Sequence, residues 1–275
     1  MPVFRPMIDA ESGSKITMKR LDYNSKRSSQ STDTENEEIS SPFVAVPEKI
    51  VVCVDIAEDP NLVPYRRSDN TNFRPFEALK KALELFATNK LSLNQNHQFA
   101  FATVEPGGFK WVSDFSSNLQ VISSVIDSLE PVEQTKPDIC NFNTVFKEVK
   151  SKVGTLPVNT NNNVIPSHIV RLFLIYNSSM NKPFLNRRDE SYKSLILSDN
   201  FFLDILYLHD PASAENYPQK IYSVLLSFIK GGSYFQEESR KVTQVFNTFA
   251  RFLAHPFQRP YNEYEQQVLE MSENY

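Results

Sequence analysis

Glycine is scarce in this chain of 275 residues, which has only 6. Loops that cradle phosphate groups need glycines, because a residue without a Cβ lets backbone N–H groups approach the ligand. The glycine pairs Gly107-Gly108 and Gly231-Gly232 do not extend into a phosphate-loop or dinucleotide-binding pattern. The sequence therefore argues against nucleotide binding by these familiar routes.

Cysteine is also scarce, and long apolar runs are missing. Cys53 and Cys140 both lie in apolar stretches, which favours buried free thiols in a reducing compartment over a disulfide. No apolar run reaches the ~18 residues that a transmembrane helix requires. The N-terminus lacks the continuous hydrophobic core of a secretory signal. We expect a protein of the cytoplasm and nucleus, without a membrane partner.

Residue types that carry catalysis are not clustered. The four histidines, at positions 97, 168, 209 and 255, are not paired at the short spacings of structural or hydrolytic zinc sites. No serine lies in a Gly-x-Ser-x-Gly elbow, and neither cysteine has an obvious histidine partner. The sequence predicts a protein that is not an enzyme and needs no cofactor. An intrinsic hydrolase is the least favoured alternative.

Overall charge is moderate, whereas apolar material is plentiful. The net charge is −4 and the pI is about 5.7, which gives no reason to expect a nucleic-acid partner. Hydrophobic residues make up 40% of the chain and 21 residues are phenylalanine, so a sizeable core can form. We expect one large domain.

Composition divides the chain into three segments. Residues 1–46 are poor in aliphatic residues and rich in Ser, Thr and charged residues. Residues 25–41 have almost nothing to bury, so ordering them would cost conformational entropy without return. We predict a disordered arm over residues 1–46, a domain over residues 47–254 and a C-terminal docking tail over residues 255–275.

Within the domain, apolar runs alternate with segments of helical periodicity. Residues 50–54 are a near-continuous β-branched run, which is typical of a central strand covered on both faces. Further strands are predicted at residues 98–104, 109–112, 169–176, 201–208 and 233–235. Helices are predicted at residues 73–89, 118–129, 143–153, 191–197, 221–229 and 242–253. This alternation predicts a three-layer α/β domain, with a mostly parallel central sheet and helices on both faces.

Asp55 is the main candidate for chemistry, because it ends the first buried strand and ligands bind at the carboxyl ends of such strands. One interpretation is a carboxylate that caps its own loop. The other is a hard-cation site, since Asp55, Glu58 and Asp59 lie close together in the sequence. The residues alone leave both open.

The first strand ending in Asp55, and the alternating units after it, resemble a von Willebrand factor A (vWA) domain. That family's metal site uses an Asp-x-Ser-x-Ser loop, a Thr from a later loop and an Asp after a later strand. The resemblance places Asp55, Ala57 and Asp59 on the first motif, Cys140 on the Thr and Asn177 on the second Asp. Too few hard ligands are left for Mg²⁺. The resemblance therefore implies a degenerate metal site that holds no metal.

A closer resemblance covers residues 47–55, 170–176, 201–209 and especially 252–260. These segments are similar to the vWA-like scaffold subunits of the BRISC and BRCA1-A deubiquitinase complexes. The resemblance implies direct binding to a subunit built of ubiquitin-conjugating-like (UEV) domains. Through it the chain would join a JAMM-type zinc deubiquitinase and its pseudo-enzyme partner. The complex would cleave lysine-sixty-three-type ubiquitin chains, in the nuclear response to DNA breaks or in cytoplasmic receptor signalling.

The tail has two interpretations. Its most specific stretch is His255, Pro256, Phe257, Gln258, Arg259 and Pro260. The prolines favour an extended chain, the phenylalanine offers an apolar anchor and the arginine offers a fork for a carboxylate. We expect this stretch to dock into a groove on the UEV partner. The alternative is that it folds back on its own domain as a cap.

Two other functions stay open at this point. One is a metal-dependent ligand-binding vWA module, against which the replacements at Ala57, Cys140 and Asn177 argue. The other is direct ubiquitin binding by the domain surface, for which no short helical ubiquitin-interacting motif stands out.

Overall fold

The computed structural model describes residues 46–58, 65–66, 72–106, 108–134, 138–157, 165–210, 212, 216–230, 232–239 and 242–259. The predicted arm therefore lies outside the described residues except for Val46. Of the predicted tail, residues 255–259 are described and residues 260–275 are not. The three segment boundaries stay predictions.

Helices and strands are numbered here in chain order. The strands are β1 (Glu48–Asp55), β2 (Ala57–Glu58), β3 (Tyr65–Arg66), β4 (Asn72–Phe73), β5 (Gln98–Glu105), β6 (Gly108–Ser116), β7 (Val132–Glu133), β8 (Ile139–Asn141), β9 (Ile169–Tyr176), β10 (Lys182–Phe184), β11 (Phe201–His209) and β12 (Phe235–Ser239). The helices are α1 (Pro75–Leu93), α2 (Leu119–Ser128), α3 (Phe142–Val153), α4 (Glu190–Ile196), α5 (Pro218–Leu226) and α6 (Val242–Arg251). A short 3₁₀ helix, Pro256–Gln258, follows α6.

Six strands form the central sheet in the order β12–β11–β9–β1–β5–β6. All neighbouring pairs are parallel except β5 and β6, which form an antiparallel hairpin at one edge. Gly108 opens β6 with φ +146°, a backbone conformation that residues with a Cβ rarely adopt. The parallel strands all run in the same direction, so their carboxyl ends lie at the same end of the sheet. The loops after β1, β5, β9 and β11 are therefore neighbours.

The sheet separates two apolar layers. Because successive side chains of a strand point to opposite faces, Val52 packs with residues of α1, α2 and α6, whereas Val51 and Cys53 pack with residues of α3, α4 and α5. All eight residues of β9 are buried, as expected for a strand with helices over both faces. The predicted three-layer, mostly parallel α/β fold is confirmed.

Two features differ from the sequence prediction. The strand predicted at residues 233–235 is β12, which begins only at Phe235, because Ser233 and Tyr234 are engaged by other bonds. The Ser233 hydroxyl accepts from the Leu203 N–H, and the Tyr234 N–H donates to Asp204 Oδ1. The parallel pairs β2–β7 and β8–β10 were not predicted, since two or three residues show no usable periodicity.

Membrane crossing can be assessed only for the described part of the chain. None of its helices is both long enough and apolar enough to span a bilayer.

Candidate functional site at the two ends of the sheet

A cavity of about 350 Å³ lies at the carboxyl ends of β1 and β5. Its lining includes the carboxylates of Asp55, Glu105 and Asp138, together with Cys140 and Thr144. The described residues that line it include no histidine, lysine or arginine. The cavity is therefore acidic, and it offers no histidine base beside a nucleophile.

Asp55 ties two loops together beneath this cavity. Its side chain is buried, at 1% exposure. Oδ1 accepts a hydrogen bond from the Ala57 N–H at 3.1 Å, and Oδ2 accepts one from the Asn177 N–H at 3.3 Å. A carboxylate that accepts from backbone N–H groups makes a charge-assisted bond that is stronger than a neutral one. The geometry supports the loop-capping interpretation of Asp55.

The structure brings together most of the positions that the vWA resemblance named. Asp55, Ala57 and Cys140 line the same cavity, and Asn177 reaches Asp55 through its backbone N–H. Ala57 offers no side-chain oxygen. Burial, followed by the negative charge of Asp55, raises the pKa of the Cys140 thiol, so this sulfur stays protonated at neutral pH. Asp59 lies outside the described residues.

No metal-binding cluster is present in the described part of the chain. Its His, Cys, Asp and Glu side chains form no group of three or more that could hold an ion. A degenerate metal site at Asp55, Ala57, Asp59, Cys140 and Asn177 stays a prediction.

Sequence reasoning missed a pair of amides in the cavity wall. Gln134 Nε2 donates to Asn181 Oδ1 at 3.0 Å, and Asn181 Nδ2 donates to Gln134 Oε1 at 2.6 Å. Asn181 Oδ1 also accepts from the Asp138 N–H at 2.9 Å. These bonds join the loops after β7 and β9, and no spacing in the sequence indicates them.

The opposite end of the sheet holds five charged side chains that we call the ionic cluster: Glu48, Lys90, Arg171, Asp204 and Arg259. Each of these side chains is at most 2% exposed. Charged groups are almost never buried to this degree unless they are paired. Of its members only Arg259 was named from the sequence, as a docking residue, and the cluster itself was not predicted.

Arg171 stands at the centre of the ionic cluster. Its Nη1 donates to Glu48 Oε2 at 3.3 Å, and its Nε donates to Asp204 Oδ2. Lys90 Nζ donates to the other oxygen of Glu48. Arg259 binds Asp204 with both terminal nitrogens, at 2.6 and 2.7 Å. Each carboxylate is therefore shared by two cations.

Strand register explains why these side chains meet. Arg171 of β9 lies opposite Ile50 of β1 and Phe202 of β11. Glu48 and Asp204 are each two residues from those partners, so they share the face of Arg171. Helix α1 starts near the carboxyl end of β1 and returns to the amino end, and its last turn carries Lys90.

Opposite charges keep the buried carboxyls ionised. Burial by itself raises the pKa of Glu48, but the positive charges of Lys90 and Arg171 outweigh it and hold the pKa below the usual value. The pKa of Asp204 is lowered against burial in the same way, by Arg171 and Arg259. Burial lowers the pKa of Lys90 to about 8, against the raising effect of Glu48.

Two histidines next to the ionic cluster are buried, and each accepts a backbone hydrogen bond at Nδ1, which only a neutral ring can do. His97 Nδ1 accepts from the Glu48 N–H at 2.8 Å. His255 Nδ1 accepts from the Phe257 N–H, which leaves its Nε2–H to donate to the Val46 carbonyl at 3.2 Å. Burial, then the charge of Lys90, lowers the pKa of His97 to about 4. Burial also lowers the pKa of His255.

The described tail residues, 255–259, pack against their own domain. The Phe257 ring lies 5.6 Å from the Phe202 ring, and the Arg259 guanidinium lies 4.0 Å from the centre of the Tyr234 ring. Pro256 is buried and Gln258 is exposed. This is the cap arrangement named above as the alternative. Docking of residues 255–260 onto a partner stays a prediction, with Pro260 outside the described residues.

The ionic cluster does have a signal in the sequence. Arg171 is the one charged residue of β9 and Asp204 is the one acidic residue of β11, two strands that are otherwise almost entirely apolar, and their charges are opposite. Buried charged residues need partners of opposite sign. An ion pair between Arg171 and Asp204 could therefore have been predicted from the sequence.

Comparison with known proteins supports the resemblance. No protein-family model matches the sequence. "BRISC and BRCA1-A complex member 1" of Xenopus tropicalis is 27% identical over 235 residues, which cover 82% of this chain and 71% of the relative. Relatives with the same name from other species are 24–27% identical.

Solved structures with a similar fold were also found. Proximal thread matrix protein 1 from the mussel byssus has a TM-score of 0.50 at 10% identity, covering 76% of this chain and 48% of that one. A von Willebrand factor type A protein from Catenulispora acidiphila has a TM-score of 0.49 at 11% identity, covering 78% and 44%. The chain has a vWA-like α/β fold, and over most of its length its sequence is similar to that of BRISC and BRCA1-A complex member 1.

Proposed function

We propose that this chain is a non-catalytic scaffold subunit of a complex of the BRISC or BRCA1-A kind. In this proposal it binds a UEV-domain subunit directly, and that subunit connects it to a JAMM-type zinc deubiquitinase and its pseudo-enzyme partner. The complex acts on lysine-sixty-three-type ubiquitin chains, in the DNA damage response or in receptor signalling. The chain would then work in the nucleus, the cytoplasm or both.

The observation that carries the proposal is the extent of the similarity. It covers 82% of the chain, and the relatives are named as members of such complexes. A match of this extent covers most of the chain rather than one motif, so it supports a shared role of the domain as a unit.

The cavity supports the non-catalytic part of the proposal. Hydrolysis by a bound metal requires ligands with an open coordination position, and covalent hydrolysis requires a nucleophile with a base. The described residues that line the cavity supply a protonated thiol, carboxylates and amides, and they include no histidine. In a scaffold, the sheet ends instead hold loops and the tail in fixed positions.

Affinity purification of the full chain from its own cells, followed by quantitative mass spectrometry, tests membership of the complex. We expect enrichment of a UEV-type subunit and a JAMM-type peptidase, and a fall in the abundance of both when the chain is depleted. If neither protein is enriched, the proposal is wrong.

A pair of surface variants tests whether the tail is the docking site. Gln258 and Gln120 are both exposed, on the tail and on α2 respectively. Gln258→Arg should weaken binding to the UEV-type subunit by at least about tenfold, because a charged group that finds no partner is costly to desolvate at an interface. Gln120→Arg should leave binding unchanged. Equal binding by both variants would remove the tail from the interface while membership of the complex still stands.

A further inference from the structure

Residues 255–259, here called the cap, hide the arginine that the sequence analysis named as a docking residue. Arg259 donates to both oxygens of Asp204, and its guanidinium lies 4.0 Å from the centre of the Tyr234 ring. The Arg259 side chain is only 1% exposed. No partner can reach this guanidinium while the cap is closed, so docking through Arg259 requires that the cap opens.

The backbone of the cap bonds within the cap. The Gln258 N–H donates to the His255 carbonyl at 2.8 Å, and the Arg259 N–H donates to the Pro256 carbonyl at 3.4 Å. The Phe257 N–H donates to His255 Nδ1 at 3.2 Å. Because none of these three bonds is made to the sheet, the cap can leave the domain without breaking a strand.

The charges of the ionic cluster balance without the cap. The cluster has two carboxylates and three cations, and the cap supplies one of the cations, Arg259. When the cap leaves, Asp204 still accepts from Arg171 Nε and from the Tyr234 N–H. A buried charge without a partner is costly, but opening leaves two charges of each sign behind. It also hydrates Arg259 Nε, which is buried without an acceptor among the described residues.

We propose that the cap is an autoinhibitory contact, which opens while the sheet stays folded and only then presents Phe257 and Arg259 to a second protein. Opening is a property of this chain alone, whereas the identity of the second protein as the UEV-type subunit rests on the proposed function. The closed state weakens the apparent affinity for the partner, because only the open fraction of the chain can bind.

The contacts of the closed cap indicate what the partner surface offers. The Phe257 ring meets the Phe202 ring edge-on, with the ring centres 5.6 Å apart. Arg259 finds the carboxylate of Asp204 beside the ring of Tyr234. A surface that takes the same two side chains offers a carboxylate next to apolar or aromatic groups. Domain and partner therefore compete for the same phenylalanine and arginine.

Hydrogen exchange of the full chain, without a partner, tests the opening. The amides of Gln258 and Arg259 should exchange through local opening, because a three-residue helix that leaves the domain frays in water. Their exchange should be at least about tenfold faster than that of the β9 amides. It should also be insensitive to low concentrations of urea, because a local opening exposes little surface. Cap amides that exchange at the rate of β9, with the same urea dependence, would overturn the proposal.

A change on the domain side of the contact separates inhibition from structural support. Tyr234→Ala removes the ring that Arg259 contacts and leaves the cap sequence intact. It should speed exchange of the cap amides at least about tenfold and strengthen binding to the UEV-type subunit by a similar factor, since both depend on the open fraction. Tyr234→Leu, which keeps apolar bulk without an aromatic face, should act in the same direction. As the control, Tyr222→Ala removes a half-buried ring that packs on Phe235, 5.0 Å away, and should change neither quantity.

The two readouts separate failure of the autoinhibition from failure of the proposed function. Faster cap exchange in the Tyr234 variants with unchanged or weaker binding would show that the cap does not inhibit docking, and would overturn the proposal. If the UEV-type subunit binds neither the wild type nor any variant, the proposed function is wrong and autoinhibition of that docking falls with it. The exchange data would still decide whether the cap opens.

Discussion

The two ends of the central sheet differ in how their charged side chains are paired. At the amino end, two carboxylates and three cations of the ionic cluster are buried and shared among themselves. At the carboxyl end, Asp55, Glu105 and Asp138 line a cavity that no lysine or arginine of the described chain lines. We call the amino end the closed end, because its charged side chains are buried and paired, and the carboxyl end the open end, because the acidic cavity lies there.

This difference separates a structural role from a binding role. Buried ion pairs are weak contributors to net stability, but losing one partner is costly because the other charge stays buried. The ionic cluster therefore fixes the positions of β1, β9, β11, α1 and Arg259 relative to one another. The described residues that line the cavity include no cation, and its carboxylates differ in exposure: Asp55 is buried and held by two backbone N–H groups, Glu105 is half-buried and Asp138 is exposed.

Replacing Arg171 by Met should produce the largest effect at the closed end. The substitution leaves Glu48 and Asp204 with fewer compensating charges, so we expect a loss of about 3–5 kcal/mol in the free energy of unfolding. Urea denaturation measures it. As a control, Lys193→Met breaks an exposed pair with Glu190 and should change stability little. Similar small losses in both variants would show that the ionic cluster is dispensable.

Acidification should have the second-largest effect, through the histidines at the closed end. In the unfolded chain His97 binds its proton near pH 6.5, but in the folded chain only near pH 4. Between these values the unfolded state binds more protons, so stability falls as pH falls. The shift corresponds to a loss on the order of 3 kcal/mol by pH 4, and His255 acts in the same direction.

Urea denaturation at several pH values from 7 to about 4 checks this sign. A His97→Gln variant should show a smaller loss over that range, because the substituted side chain does not titrate. Stability that is constant or rises on acidification would contradict the assignment of neutral histidines.

Removing the cap should have a smaller effect. Arg259→Ala deletes the two bonds to Asp204 and the stacking on Tyr234, while Arg171 still pairs with Asp204. We expect a loss of about 2 kcal/mol. Arg251→Ala is the control, since Arg251 is exposed and its guanidinium donates to the side chain of Gln236. An unchanged denaturation midpoint for Arg259→Ala would mean that the cap does not stabilise the domain.

Magnesium should have the smallest effect, and it tests the open end. Ala57 supplies no side-chain oxygen and Cys140 is a protonated thiol, so the positions that the vWA resemblance names offer too few oxygen ligands for Mg²⁺. We expect no shift in the thermal midpoint on adding millimolar Mg²⁺ or Mn²⁺, because only a bound ligand stabilises the folded state. A clear upward shift that is lost in Asp55→Asn would identify a metal-dependent module instead.

The fold was predictable because its central strands coincide with apolar runs in the sequence. The prediction for residues 169–176 coincides with β9, since every side chain of that strand is buried and apolar except Arg171. The helix predicted at residues 143–153 matches α3 to within one residue. Asp55 was predictable as a candidate residue because the sheet topology places it at a strand end.

The contacts between distant elements were less predictable. Bonds such as Glu48 to Lys90 and Arg259 to Asp204 depend on register and on the direction of α1, neither of which is visible in local periodicity. The tail illustrates the limit. Its prolines and arginine were recognised as unusual, but the sequence alone did not decide between a partner and the domain itself.

The bond between His255 and the Val46 carbonyl brings the first and last described segments of the domain together. The domain is therefore a module whose first and last described segments lie side by side. Such a module can be inserted into a loop of a host protein, or circularly permuted through a short linker, with little distortion. The acidic cavity lies at the other end of the sheet, so neither an insertion nor a permutation at these segments would disturb its lining.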